Sequence, residues 1–302
     1  MKKGSGAIRA FCLVALFVVI GLCGCAGGKP LLQAGEGAVV LADGVTLDYA
    51  VSGSGRPLLL VTGYAMTKEM WDADFLRELA ASRRVILMDN RGMGPSPLAA
   101  AAEVSIPRMA RDAVAVLDAL GIDRADVLGW SMGGMVAQEL ALQRPDRVCA
   151  VILLATTADI GSLAPVLERL NAMGSEEIRQ SMFPADWIAG HPEASARLRP
   201  RPRPPDMHVV AAQHAAMLQW AGTSGRLREM SAPVLLVAGA EDWICPPGAA
   251  RDMYEGLSGR EGATVAFTVV PQGSHWMMHQ FPDALAAMVN GFLAGRDCAP
   301  AP

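Results

Sequence analysis

Short apolar runs alternate along the chain with segments in which apolar residues recur at helical spacing. The apolar runs predict buried strands at residues 58–61, 85–88, 125–128, 151–154, 234–237 and 265–270. A helix is predicted after Ser105-Ile106-Pro107, because apolar residues from Met109 to Leu120 share one face before Gly121 ends it. This alternation predicts an α/β fold, with a mostly parallel sheet and helices on both of its faces.

Two stretches depart from this rhythm. An Asp43-Gly44 pair between the apolar runs 38–41 and 45–51 predicts an antiparallel hairpin. Residues 157–230 offer helical pieces at 163–173 and 208–220, separated by an Arg-Pro run at 199–205. We interpret residues 157–230 as an inserted helical lid, and residues 38–156 and 231–297 as the core. The Arg-Pro run is interpreted as a solvated loop rather than an anion site.

The segment Gly129-Trp130-Ser131-Met132-Gly133 follows one predicted strand and precedes a helical stretch. In a G-x-S-x-G turn the serine lies on a sharp strand-to-helix bend, and the glycines leave room where the two backbones approach. Ser131 is therefore the candidate nucleophile. Its hydroxyl would lie at the carboxyl end of the sheet, beside a helix amino terminus.

A serine hydroxyl needs a base to become a good nucleophile. Of five histidines, His275 follows the last predicted strand and is the candidate base. His279 is interpreted as structural, because no third ligand makes the pair a metal site. The three remaining histidines, His191, His208 and His214, fall in the lid.

An acid should hold the other ring nitrogen of the base. Asp242 follows the predicted strand 234–237 and is the candidate, with Glu241 as the nearest competitor and Asp159 as a distant one. The charge that develops on a substrate carbonyl needs preorganised donors. The backbone N–H groups of Met132 and Tyr64 are the candidates for this oxyanion hole.

These motifs resemble the α/β-hydrolase family over nearly the whole chain beyond the first 37 residues. The order Ser131, Asp242, His275 is the order of that family, and Asp89-Asn90-Arg91-Gly92-Met93-Gly94-Pro95-Ser96 resembles its D-x-R-G-x-G-x-S loop. Thr62-Gly63 stands where many members have His-Gly, which changes a wall of the substrate site. The resemblance implies a lidded serine hydrolase without metal or organic cofactor.

The expected reaction is hydrolysis of a carboxylic ester or related small acyl compound through an acyl-enzyme. The resemblance leaves open carbon–carbon bond hydrolysis and a haloperoxidase-like or perhydrolase activity. A ligand-binding protein on the same fold is a third alternative. Met66, Trp130, Met132, Trp276 and Met277 flank the motifs, and both an apolar substrate site and core packing would explain them.

The charge balance comes from 26 basic and 30 acidic residues, which argues against a nucleic-acid partner. Lys2, Lys3 and Arg9 precede an apolar run at residues 10–22, too short for a spanning helix and typical of a secretory signal. The run ends in Leu22-Cys23-Gly24-Cys25, which resembles a bacterial lipoprotein cleavage box. We therefore expect a signal peptide at residues 1–24, a lipid on Cys25, a tether at residues 25–37, and export to a membrane surface. An ordinary signal peptide cut near Gly28 is the alternative.

Six cysteines in this length do not indicate a disulfide framework. Cys149, Cys245 and Cys298 would remain in the domain without metal-ligand spacing, and we interpret them as unpaired. A single disulfide is the alternative that an oxidising compartment would permit.

Overall fold

A computed structural model describes residues 35–94, 98, 102–192, 205–296 and 298. The described residues form one sheet of eight strands in the order β1-β2-β4-β3-β5-β6-β7-β8. The strands are β1 (Gly35–Val40), β2 (Thr46–Ser52), β3 (Arg56–Val61), β4 (Arg83–Met88), β5 (Ala125–Trp130), β6 (Val148–Leu154), β7 (Val234–Gly239) and β8 (Val265–Val270). Strands β3 to β8 run parallel to one another, whereas β2 is antiparallel to both of its neighbours, β1 and β4.

The hairpin formed by β1 and β2 closes one edge of the sheet. Its turn contains Gly44 at a φ of 79°, a left-handed conformation that favours glycine. Strand β1 begins at Gly35, so the last three residues of the segment assigned to the tether pair with β2. The predicted α/β class is confirmed by the sheet and its helices.

Helices cover the strands and connect them. They are α1 (Ala73–Ala80), α2 (Ile106–Ala119), α3 (Met132–Gln143), α4 (Ala164–Ala172), α5 (Ser175–Ser181), α6 (Ala185–Gly190), α7 (Met207–Leu218), α8 (Pro247–Ser258), α9 (Met277–Gln280) and α10 (Pro282–Leu293). Helix α2 begins where the sequence predicts it, because the Ser105 side chain accepts a hydrogen bond from the Arg108 N–H at 3.2 Å.

The core lies where the central strands meet the helices on the two faces of the sheet. Every residue of β5, β6 and β7 is buried, as expected for parallel strands covered on both sides. Because these strands are fixed by apolar contacts along their whole length, the loops at their carboxyl ends start from rigid positions.

Among the described residues, the α-helices between β6 and β7, in the segment predicted to be the lid, include α4 to α7. Two of them, α4 and α7, correspond to the predicted helical pieces, while α5 and α6 were not predicted. Residues 193–204, which hold most of the Arg-Pro run, are outside the described residues, as are residues 1–34 with Cys25. Within the described ranges, no helix has the length and apolar character needed to cross a membrane.

A disulfide joins Cys149 of β6 to Cys298, with the Cα atoms 5.2 Å apart. The interpretation of all three cysteines as unpaired is therefore wrong for this pair. The two residues are separated by 149 positions, and their proximity arises from tertiary packing rather than from sequence spacing. Cys245 is free and buried. Its burial is the main reason why the pKa of its thiol is raised, and the negative charge of the nearby Asp242 carboxylate raises it further.

Candidate active site

Ser131 lies on the bend between β5 and α3 in an unusual backbone conformation. Its φ is 56° and its ψ is −122°, values that cost energy for a residue with a side chain. The Ser131 N–H donates to the Leu154 carbonyl at 3.0 Å, and the Thr156 hydroxyl donates to the Ser131 carbonyl at 2.7 Å. Hydrogen bonds from neighbouring elements therefore hold the strained bend in place.

The glycines of this bend allow the strand and the helix to pack closely. A Cβ at Gly129 would collide with the Gly133 carbonyl oxygen. A Cβ at Gly133 would collide with the Val61 carbonyl oxygen and lie 2.7 Å from that of Thr62. These contacts are with backbone atoms that cannot easily move, so both positions require glycine.

His275 follows β8 and approaches Ser131 from the neighbouring loop. Its Nε2 lies 3.0 Å from Ser131 Oγ, and its Nδ1 lies 2.9 Å from Asp242 Oδ2. The Trp130 indole N–H donates to the His275 carbonyl at 3.0 Å. The imidazole is 5% exposed, so the protein fixes its orientation and leaves little room for competing water.

Asp242 is buried in the loop that follows β7. Its Oδ1 accepts hydrogen bonds from the N–H groups of Ile244 and Cys245, each at 2.9 Å, which leaves Oδ2 for His275. The two competitors, Glu241 and Asp159, have exposed side chains. The structure thus brings Ser131, His275 and Asp242 into one hydrogen-bonded chain and does not include either competitor.

The two candidate oxyanion donors belong to different segments next to the nucleophile. Met132 is the first residue of α3, where helix N–H groups have no partner within the helix. Tyr64 directly follows Gly63, at which a Cβ would lie 3.3 Å from the Ser131 Cβ. The loop that holds Tyr64 therefore passes beside the nucleophile.

Two hydrogen bonds between described residues join the lid to this loop. The Tyr64 hydroxyl donates to Asn171 Oδ1 of α4 at 2.9 Å, and the Ala65 N–H donates to Gln213 Oε1 of α7 at 2.9 Å. Burial raises the pKa of the Tyr64 hydroxyl. Ala65 has a φ of 54°, so the loop adopts a second strained conformation that the lid helps to hold.

The other residues that flank the motifs contact the core or neighbouring loops. The Nδ1 of His279 lies 3.3 Å from Asp72 Oδ2, and its Nε2 lies 3.1 Å from the Met70 carbonyl oxygen. His279 is therefore not part of the hydrogen-bonded chain from Ser131 to Asp242. Met66, Trp130, Met132, Trp276 and Met277 are all buried in the main apolar cluster. The described part of the chain holds no cluster of three potential metal ligands.

Sequence reasoning missed Gln213 and Asn171. Gln213 is fully buried among apolar positions of α7 such as Val209 and Met217. A glutamine on an otherwise apolar helix face was the available signal. Its partner could not be inferred, because Ala65 is 148 positions away.

A model of the alpha/beta hydrolase fold family matches residues 56–282, so the chain belongs to that family. It is 28% identical over 289 residues to the 2-hydroxymuconate semialdehyde hydrolase of Pseudomonas sp. strain CF600, covering 87% of this chain and 95% of that one. It is 31% identical over 265 residues to the putative carbamate hydrolase RutD of Azorhizobium caulinodans, covering 83% and 96%. A solved thermophilic esterase from Thermogutta terrifontis is 27% identical with a TM-score of 0.72, covering 86% and 98%. Family and relatives together identify a hydrolase.

Proposed function

We propose that this protein is a serine hydrolase that cleaves a carboxylic ester or related acyl compound through an acyl-enzyme. The observation that supports this most is the hydrogen-bonded chain from Ser131 through His275 to Asp242 on a strained bend. A nucleophile, a base and an orienting acid in hydrogen-bond contact are the geometry that acyl transfer requires.

In the proposed first step, Ser131 Oγ attacks the substrate carbonyl while His275 Nε2 takes the hydroxyl proton. The N–H groups of Tyr64 and Met132 stabilise the resulting oxyanion. The carbon–oxygen bond to the leaving group then breaks, and the imidazolium returns the proton to the departing alkoxide oxygen. The products are an alcohol and an acyl ester of Ser131.

In the second step, water attacks the acyl ester and gives up a proton to His275. Collapse of the intermediate breaks the bond to Ser131 Oγ, which regains its proton, and a carboxylic acid leaves. The buried Asp242 carboxylate stabilises the imidazolium in both steps and keeps the Nδ1 proton in place. Water supplies the only added atoms.

Similarity to the Thermogutta esterase supports an ester substrate. Similarity to the 2-hydroxymuconate semialdehyde hydrolase favours carbon–carbon bond hydrolysis as a second candidate. Both reactions would use the same oxyanion donors and the same base. They differ in the bond that breaks, so substrate assays separate them.

The test is a series of p-nitrophenyl esters of graded acyl length, with wild type compared to Ser131→Ala. We expect turnover by wild type and none above background by Ser131→Ala. The exposed serine variant Ser162→Ala is the matched control and should keep the wild-type rate. Tight ligand binding without turnover would point to a binding protein. Turnover that survives in Ser131→Ala would remove the proposed nucleophile.

We also propose that Cys25 carries a lipid and that the domain works outside the cytoplasm on a membrane surface. The disulfide between Cys149 and Cys298 supports an oxidising compartment. Several acyl chains on one amino terminus would hold the protein firmly, since each buried methylene contributes about 0.8 kcal/mol. Fractionation of cells that express wild type or Cys25→Ser tests this proposal. Wild type should stay in the membrane pellet after a high-salt wash, whereas a wholly soluble wild type would indicate an ordinary signal peptide.

A further inference from the structure

Thr156 lies just beyond the end of β6 and contacts the backbone of the bend that carries the nucleophile. It is buried, and its hydroxyl donates to the Ser131 carbonyl at 2.7 Å. The same carbonyl accepts the Gly134 N–H at 2.8 Å. A carbonyl oxygen has two lone pairs, so these two donors occupy both of them and hold the Ser131 C=O bond in one direction.

The backbone around Thr156 is shaped to allow this contact. Ala155, the residue before it, has a φ of 49°, a left-handed conformation that costs free energy for a residue with a Cβ. Gly134 leaves the space that the threonine side chain fills, because a Cβ there would lie 2.5–2.6 Å from three of its atoms. The G-x-S-x-G motif ends at Gly133, so it is Thr156 that requires a glycine at position 134. Backbone strain of this kind persists mainly at functional sites.

The Ser131 carbonyl and the Met132 N–H belong to one peptide group. That group is planar and trans, so its C=O and N–H bonds point in opposite directions. Holding the carbonyl therefore also sets the direction of the Met132 N–H, one of the two proposed oxyanion donors. A peptide group that accepts hydrogen bonds at its oxygen becomes a stronger donor at its nitrogen, because linked hydrogen bonds polarise one another.

We propose that Thr156 is a positioning residue that aligns and strengthens the Met132 N–H for the acyl-transfer reaction proposed above, on which this inference rests. As Ser131 Oγ bonds to the substrate carbon, the carbonyl electron pair moves to oxygen, and the Met132 N–H donates to the oxyanion. This polarises the peptide group further and places more negative charge on the Ser131 carbonyl oxygen. The hydrogen bond from Thr156 is therefore stronger in the transition state than in the substrate complex.

Thr156→Val tests this role, because valine has nearly the shape of threonine and lacks the hydroxyl. Both steps of ester hydrolysis pass through an oxyanion, so kcat for a p-nitrophenyl ester should fall about three- to tenfold, the range that one neutral hydrogen bond supplies. KM should stay close to the wild-type value, since losing an interaction made in the transition state lowers kcat and kcat/KM together. Thr156→Ser keeps the hydroxyl and should restore most of the rate.

Thr157→Val is the matched control. Thr157 is also buried, but its hydroxyl donates to the Asp159 carbonyl at 3.0 Å and not to the nucleophile bend. This variant loses a hydrogen bond of the same kind and should keep the wild-type kcat. Thermal midpoints of both variants separate a loss of stability from a loss of rate. If Thr156→Val does not fold, Thr156→Ala removes the same hydroxyl with less crowding and takes its place.

Inhibition by a trifluoromethyl ketone provides a second readout. Ser131 Oγ adds to the ketone carbon, and the adduct carries its oxyanion where the transition state of the reaction carries one. The inhibition constant should rise in Thr156→Val by about the factor by which kcat falls, and it should not change in Thr157→Val. A residue that only stabilises the fold would move neither value in the folded protein.

A folded Thr156→Val with unchanged kcat and an unchanged inhibition constant would overturn the inference while ester hydrolysis itself persists. An equal loss of kcat in Thr157→Val would overturn it as well, because the effect would not depend on the bend. Failure of the underlying function looks different. In that case wild type would hydrolyse no p-nitrophenyl ester and would form no fluorophosphonate adduct on Ser131.

Discussion

Replacing Asp242 by asparagine tests how the acid acts on the base. In the wild type, Oδ1 accepts two loop N–H groups and Oδ2 accepts the His275 Nδ1 proton. An asparagine would keep its oxygen toward the two loop donors, because an NH₂ group there would face two other donors. Its NH₂ group would then face His275 Nδ1.

This arrangement forces the wrong histidine tautomer. His275 Nδ1 would have to accept, so the ring proton would move to Nε2 and face Ser131 Oγ, which could no longer pass its proton to the ring. By analogy with the same change in serine proteases, kcat should fall by about 10⁴-fold. At 1.36 kcal/mol per factor of ten, the barrier rises by about 5.5 kcal/mol.

The assay measures kcat for a p-nitrophenyl ester. The thermal midpoint of unfolding is measured in parallel to check that the variant is folded, which we expect because asparagine and aspartate have nearly the same shape. Glu241→Gln is the control. Its side chain is exposed, and the rate should stay within about twofold of wild type. The reasoning is refuted if folded Asp242→Asn keeps more than a tenth of wild-type kcat. Greater damage from Glu241→Gln or Asp159→Asn would move the role to that residue.

Three further predictions concern stability. Gly133→Ala should lower the free energy of unfolding by about 1–3 kcal/mol or prevent folding, because its Cβ would meet backbone oxygens. The control is Gly248→Ala, in the first turn of α8 where a Cβ would meet no atom, and it should be neutral or stabilising. Denaturant titrations of both variants measure the difference. Cys298→Ser should cost about 2–4 kcal/mol and lower the thermal midpoint, and an unchanged midpoint without reductant would show that the disulfide adds no stability. Burial raises the pKa of Asp72, but hydrogen bonds from His279 and from backbone N–H groups keep it below its usual value. That stabilisation exists above the unfolded pKa and is lost as the pH falls through the folded one, so the stability deficit of Asp72→Asn should shrink on acidification, and a constant deficit would contradict the assignment.

The sequence predicted those parts of the fold that depend on local pattern. The strand, bend and helix around Ser131 are contiguous, and the required glycines sit at fixed spacing on either side of the serine. Asp242 and His275 could be selected because the carboxyl ends of parallel strands meet at one edge of a sheet. The pattern of apolar strands and the order of Ser131, Asp242 and His275 along the sequence were sufficient to choose the acid and the base.

The features that were missed depend on contacts between distant segments. The partner of Cys149 lies beyond the last helix, and nothing in the local sequence of either cysteine indicates the pairing. Gln213 reaches Ala65 only after α7 has packed over the loop that follows β3. The short helices α5 and α6 span 7 and 6 residues, too few for a helical period to stand out from the surrounding lid sequence.

Mapping the residue that reacts with a fluorophosphonate tests the central claim most directly. Native protein is treated with the probe and digested, and the modified peptide is sequenced by mass spectrometry, with heat-denatured protein and Ser131→Ala treated in parallel. The account predicts one adduct, on Ser131, formed only in the native protein and lost together with ester hydrolysis in Ser131→Ala. An adduct on another residue, or hydrolysis that continues after Ser131 is fully modified, would contradict it.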